Sequence, residues 1–146
     1  MSITKEAVAE AVRDWCASTN ARDVEHLAAM DVPGIGFGYR TAACRDLRAV
    51  GEATYARTIQ QFFDQIASYR LDLEELHTAV ADDVGLAWGL YVEEFQEKGL
   101  PPERARVRFS QVLRRDENGW KILFFHRDIQ PFDPDGRYPR SLTTVE

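Results

Sequence analysis

The sequence predicts an α+β domain, with helices in its N-terminal part followed by a bent antiparallel sheet of four long strands. Three observations carry this. Apolar residues recur at helical spacing as far as residue 66, and from residue 68 the period switches to two. The strands that follow are joined by turns too short for a crossover helix, which forces neighbouring strands to run antiparallel.

The elements follow in order. Val8, Val12, Trp15, Cys16 and Thr19 fall at i, i+4, i+7, i+8 and i+11, one apolar face of a first helix. Thr4 can cap its N-terminus, Glu6 suits the positive end of the helix, and Asn20 stops it. A short second helix runs from Asp23 to Met30, and Pro33 and Gly34 end it. Residues 35–39 and 41–46 read as a small hairpin. Gly34, Gly36 and Gly38 lack the strand-to-helix setting and the lysine of a phosphate loop, so they read as points of close approach in a strand. A third helix follows Gly51, its face marked by Tyr55, Ile59, Phe62, Phe63 and Ile66.

Tyr69, Leu71 and Leu73 then alternate with charged residues, a half-buried strand ending at the turn 81–83. Strands over 84–96, 104–115 and 120–130 follow. The turn 98–102 holds Gly99, Pro101 and Pro102, and Asp116 to Gly119 is the strongest hairpin signal in the chain. On the second long strand, Leu86, Trp88, Leu90 and Val92 share one face, while Ala87, Gly89, Tyr91 and Phe95 share the other. Residues 131–146 lack periodicity and read as a surface tail of a single domain spanning 1–146.

Composition narrows the function. The chain has 146 residues, 24 acidic against 18 basic, for a net charge of −6. Nucleic-acid binding needs a basic footprint, so no nucleic-acid partner is expected. No apolar run is long enough to cross a bilayer, and the acidic, amphipathic start lacks the regions of a secretion signal. A cytoplasmic protein without a membrane partner is therefore expected. Cys16 and Cys44 fit no metal spacing, and Cys16 lies on the apolar helix face as a buried thiol. His26, His77 and His126 match no zinc pattern, and neither a nucleophile elbow nor a phosphate loop occurs. No metal or other cofactor is expected.

Residues 108–128, opening on Arg108-x-Ser110 and closing through Gly119-Trp120 on His126-Arg127-Asp128, resemble the pattern of SnoaL-like domains and of the kinase association domain in the NTF2-like superfamily. Trp15 and the stretch from Asn20 through Asp23 to Leu27 are similar to the helical opening of that superfamily, and the resemblance covers roughly residues 5–130. It implies an NTF2-like cone, a bent sheet wrapped around three N-terminal helices. It further implies a homodimer through the outer face of the sheet, in keeping with apolar residues on both faces over 122–125. The superfamily hosts isomerases, cyclases, dehydratases and binding domains, so the fold alone selects no activity. The related pattern ends in His-x-Ser, whereas Asp128 occupies the serine position here.

His126 and Asp128, two apart on a strand, share a face and can form an imidazole–carboxylate pair for moving protons. The alternative is a structural histidine with Asp128 at the rim. The resemblance implies that Arg108, Ser110 and the His126 face look into the cone, where Arg108 would bind a carboxylate or enolate. The alternative places Arg108 on the outer face, paired with Glu93 or Glu94. His126, Asp128 and Arg108 are thus the expected catalytic residues. Ser110, Trp15, Tyr39, Tyr55, Trp88 and Tyr91 are the expected contacts to a small apolar molecule. Asp31 reads as a turn residue. Two functions are open: cofactor-independent proton transfer on an apolar carbonyl or polyketide-like substrate, or a non-catalytic ligand-binding or oligomerisation module.

Overall fold

The computed structural model describes residues 2–30 and 52–130, less the side chains of residues 52–55, 58 and 130. The expected hairpin at 35–46, with Asp31, Tyr39 and Cys44, lies outside the described residues, as do the tail from 131 onward and the side chain of Tyr55.

Among the described residues three helices precede the sheet. Helix α1 spans Lys5–Asn20, α2 Val24–Ala29 and α3 Glu52–Gln65. The Thr4 side chain accepts from the Ala7 N–H and the Asp23 side chain from the His26 N–H, so both expected caps are made. Strands β1 (Ile66–Ala81), β2 (Val84–Glu97), β3 (Glu103–Asp116) and β4 (Gly119–Gln130) form one antiparallel meander in chain order. The α+β class is as expected.

Helix α1 lies along β1. Thr78 Oγ1 donates to the Lys5 carbonyl near one end of the helix. At the other end the Asn20 side chain brackets Leu71, donating to its carbonyl at 2.9 Å and accepting from its N–H at 2.7 Å. Every residue of the expected apolar stripe, Val8, Val12, Trp15, Cys16 and Thr19, is buried. Gly85 of β2 lets the helix come this close, because a Cβ there would sit 2.5 Å from Val8 Cγ2. Arg22, at φ 55°, turns the chain between α1 and α2 and donates to the carbonyls of Phe63 and Ile66, closing the end of α3. The end of α2 is tied to β4 by the Ile122 N–H on the Met30 carbonyl and by Lys121 on the Ala29 carbonyl.

Of the three register shifts in the described sheet, one of them between Ile66 and Ser68 at the start of β1, two decide which side chains face the helices. One extra residue, Glu74, interrupts the β1–β2 register between Leu73 and Glu75. Tyr69, Leu71 and Leu73 point inward before it, and Leu76, Thr78 and Val80 share that face after it. Gly89 of β2 is required opposite, because a Cβ there would meet the Glu75 carbonyl oxygen at 1.9 Å. The second bulge places Leu113 opposite Ile122 and Val112 opposite Phe124, leaving Leu123 extra. Unbroken alternation along β4 would put Ile122 on the face of Phe124 and His126. The bulge instead puts Ile122 on the inner face with Phe125.

Candidate functional site

Directly paired residues share a face of the sheet. Across β2, β3 and β4 the inner face therefore carries three rows: Tyr91, Val107 and Ile129; Gly89, Phe109 and Arg127; Ala87, Gln111 and Phe125. Trp15 of α1 reaches over them, its ring 5.3 Å from Phe125, 5.9 Å from Tyr91 and 6.5 Å from Phe109. Among these aromatic side chains lies a compact polar group. Arg127 Nη2 stands 2.7 Å from Glu93 Oε1, an ion-pair contact rather than an aligned hydrogen bond. The Tyr69 hydroxyl donates to the other oxygen, Glu93 Oε2, at 2.8 Å. The pair is buried, with side-chain exposures of 13% for Arg127 and 4% for Glu93.

The environment fixes the protonation of the donors. Burial pushes the Tyr69 phenol well above its ordinary range, and the neighbouring Glu93 charge adds to the shift. Burial raises Tyr91 as well, against the pull of the Arg127 charge. For Arg127 burial works against its charge, but Glu93, Tyr91 and Tyr69 together outweigh it and the guanidinium is held protonated. The site therefore offers two phenols that keep their protons, a fixed cation and a carboxylate held between them. Such a set can polarise a carbonyl, steady a developing oxyanion and pass a proton.

The expected site residues divide between the two faces. Trp15 and Tyr91 meet on the inner face. Arg108, Ser110, His126 and Asp128 lie on the outer face, which differs from the orientation expected of a cone lining. Strand parity is the reason: Ser110 pairs with Trp88 and His126, and Arg108 pairs with Leu90 and Asp128, one step out of phase with Phe109 and Gln111. Arg108 is exposed and makes a two-pronged contact to Asp128, Nε to Oδ1 at 3.1 Å and Nη2 to Oδ2 at 2.7 Å. The outer-face alternative for Arg108 is thus met with a different partner from the expected Glu93 or Glu94. Trp88 also faces outward, 44% exposed, with its indole stacked on the His77 ring. His77 in turn lies 2.6 Å from Glu75.

Arg127, Glu93, Tyr69 and Gln111 were not among the expected residues. A signal for three of them was present. Each is polar at a position two away from apolar residues of an inward face, as in Phe125-x-Arg127-x-Ile129, Phe109-x-Gln111-x-Leu113 and Tyr91-x-Glu93. Among the described residues no cluster of His, Cys, Asp and Glu is arranged to hold a metal ion, and no helix is long and apolar enough to cross a membrane.

Residues 8–128 match the sequence model of the SnoaL-like domain. No curated protein matches the chain. Among solved structures, a candidate dehydratase of the NTF2-like family from Streptomyces avermitilis superposes with a TM-score of 0.72 at 18% identity, over 84% of this chain and 93% of that one. The CaMKII hub of S. rosetta superposes with a TM-score of 0.66 at 20% identity, over 88% and 98%. An NTF2-like superfamily protein from Salmonella enterica gives 0.65 at 16% identity, over 93% and 92%. At these identities the likeness is one of fold.

Proposed function

The chain belongs to the SnoaL-like domain family, and from that premise we propose that it binds a small, largely apolar carbonyl compound on the inner face of its sheet and moves a proton on it without a cofactor. One observation carries this reading: a buried Arg127–Glu93 pair, with Tyr69 hydrogen-bonded to it, set among Trp15, Tyr91, Phe109 and Phe125. A hydrophobic core does not need a buried ion pair, and replacing one with apolar residues is often neutral or stabilising. In a wall of aromatic rings the pair is better placed to serve a polar atom of a bound molecule.

In this reading Glu93 accepts the proton from the carbon next to the carbonyl. Arg127, and the Tyr69 hydroxyl once Glu93 has taken the proton, steady the enolate oxygen; Glu93 then returns the proton to a different carbon, completing an isomerisation, or gives it to a β-hydroxyl that leaves as water while the enolate collapses to the unsaturated carbonyl. The names of related structures include a candidate dehydratase, which is compatible with such chemistry.

Deuterium exchange tests it. Bicyclic ketones such as 1-tetralone and 2-tetralone are incubated with the protein in D2O, and uptake next to the carbonyl is read by mass spectrometry. Binding is followed in parallel by ligand-observed NMR. Uptake above the buffer rate, lost in Glu93→Gln while binding persists, is the expected result. Binding without any catalysed exchange removes the enzyme and leaves a ligand-binding module.

A second reading is self-association through the outer face. Trp88 is exposed there, beside Leu86, Leu90, Val112 and Phe124 of the same face. A hub and an association domain are among the proteins of similar fold. In this reading Arg108, Asp128 and His126 serve the contact between copies. Sedimentation of wild type against Trp88→Glu decides it: a dimer that the substitution splits supports the reading, and a wild-type monomer removes it.

A further inference from the structure

Gln111 is the largest polar side chain of the inner face that the Arg127 cluster does not use. It sits mid-strand on β3, between Ala87 of β2 and Phe125 of β4, and is 1% exposed. Among the described residues neither its Oε1 nor its Nε2 has a hydrogen-bond partner. A methionine would fill the same space with no polar atom to satisfy, so an amide here works against stability unless something else completes it. Phe125, directly opposite Gln111, is the ring that Trp15 covers at 5.3 Å, and it stands two residues from Arg127 on the same face. The open amide and the polar cluster therefore border one aromatic wall.

The chemistry of the missing partner is constrained. A primary amide presents an acceptor beside a donor, so its full complement is a donor beside an acceptor. A free carboxylate has no donor near neutral pH. An enolised dicarbonyl spends its donor on its own second oxygen. The nearby Arg127 is matched by Glu93, which favours a neutral ligand over an anion. The cis-amide edge of a flat lactam or cyclic amide, N–H beside C=O, offers that complement on a neutral, planar body suited to an aromatic wall. We infer that Gln111 is the specificity-determining contact of the inner face and pairs at two points with the cis-amide edge of a neutral, planar lactam.

The inference rests on the ligand-binding part of the proposed function and goes beyond it by naming the ligand class. The probes are 2-quinolone, its N-methyl derivative, which has lost the donor, and 1-tetralone as a plain ketone. Each is titrated by calorimetry into the full chain and into Gln111→Met. The wild type should bind 2-quinolone at least tenfold more tightly than N-methyl-2-quinolone, and Gln111→Met should abolish that difference. Without ligand, Gln111→Met should melt about 3 °C or more above wild type, since it removes an unsatisfied buried amide.

Equal binding of the two quinolones by wild type overturns the inference. So does a preference that survives in Gln111→Met, which would mark it as steric, and so does a lower melting temperature of that variant. If 1-tetralone binds and 2-quinolone does not, the inference falls while the proposed function stands. If none of the three binds, both fall.

Discussion

Replacing Arg127 by methionine leaves the Glu93 carboxylate buried beside Tyr69 with no positive partner. Glu93 is 3% exposed, and the guanidinium that matches it is itself enclosed. Breaking a buried ion pair by removing one partner costs about 3–5 kcal/mol. The single variant should therefore lose about 4 kcal/mol at pH 7.5. The double variant Glu93→Gln with Arg127→Met carries no buried charge and should recover more than half of that loss. Urea denaturation of wild type, single and double variants at pH 7.5 measures all three. A single variant within about 1 kcal/mol of wild type, or a double variant no better than the single, would refute the argument that the pair is a matched buried charge.

Two further outcomes are expected. Gly89→Ala should lose at least about 3 kcal/mol in a thermal or urea melt, because its Cβ meets a backbone carbonyl that the β1 bulge holds in place and no flexible side chain can give way. Alkali should destabilise the protein: burial holds the Cys16 thiol up at about 12, and it raises Tyr69 and Tyr91 above their ordinary range, while the unfolded chain releases these protons near the ordinary values of 9.0 for a thiol and 10.0 for a phenol. Folded pKa values above the unfolded ones mean stability that is complete below about pH 9 and lost as pH rises from there toward 12. The urea midpoint should therefore drop progressively from pH 9 to 11, and the native Cys16 thiol should resist iodoacetamide at pH 8.

The order and kind of the described elements were legible because each signal is local. Five residues at helical spacing define the buried face of α1, and the Asp116–Gly119 turn defines the β3–β4 hairpin. The paired faces of β2 were also legible, since no bulge interrupts its register with β3. Which face turns toward the helices was not. That choice follows from the bulges at Glu74 and Leu123 and from the close approach of Val8 to Gly85, contacts between residues far apart in the chain. The site suffered from the same gap. Trp15 and Tyr91 stood out as aromatic residues, but Arg127 was passed over in favour of its neighbours His126 and Asp128. Phe125 and Ile129 place Arg127 on their own apolar face from sequence alone, and Glu93, meeting it across the sheet, gives that arginine its buried partner.

The bracket of Asn20 on Leu71 has a consequence for how the molecule comes into being. It joins residues 51 apart, and the Thr78 contact to Lys5 joins residues 73 apart. The four strands, by contrast, need only their immediate neighbours in sequence to pair. During synthesis α1 therefore emerges well before the surface it covers, with Val8, Val12 and Trp15 uncovered until β1 and β2 have formed beneath them. In that interval the nascent chain carries a ready site for chaperones and for its own aggregation. The aromatic wall closes only when β4, the last of the described strands, supplies Phe125 to Trp15.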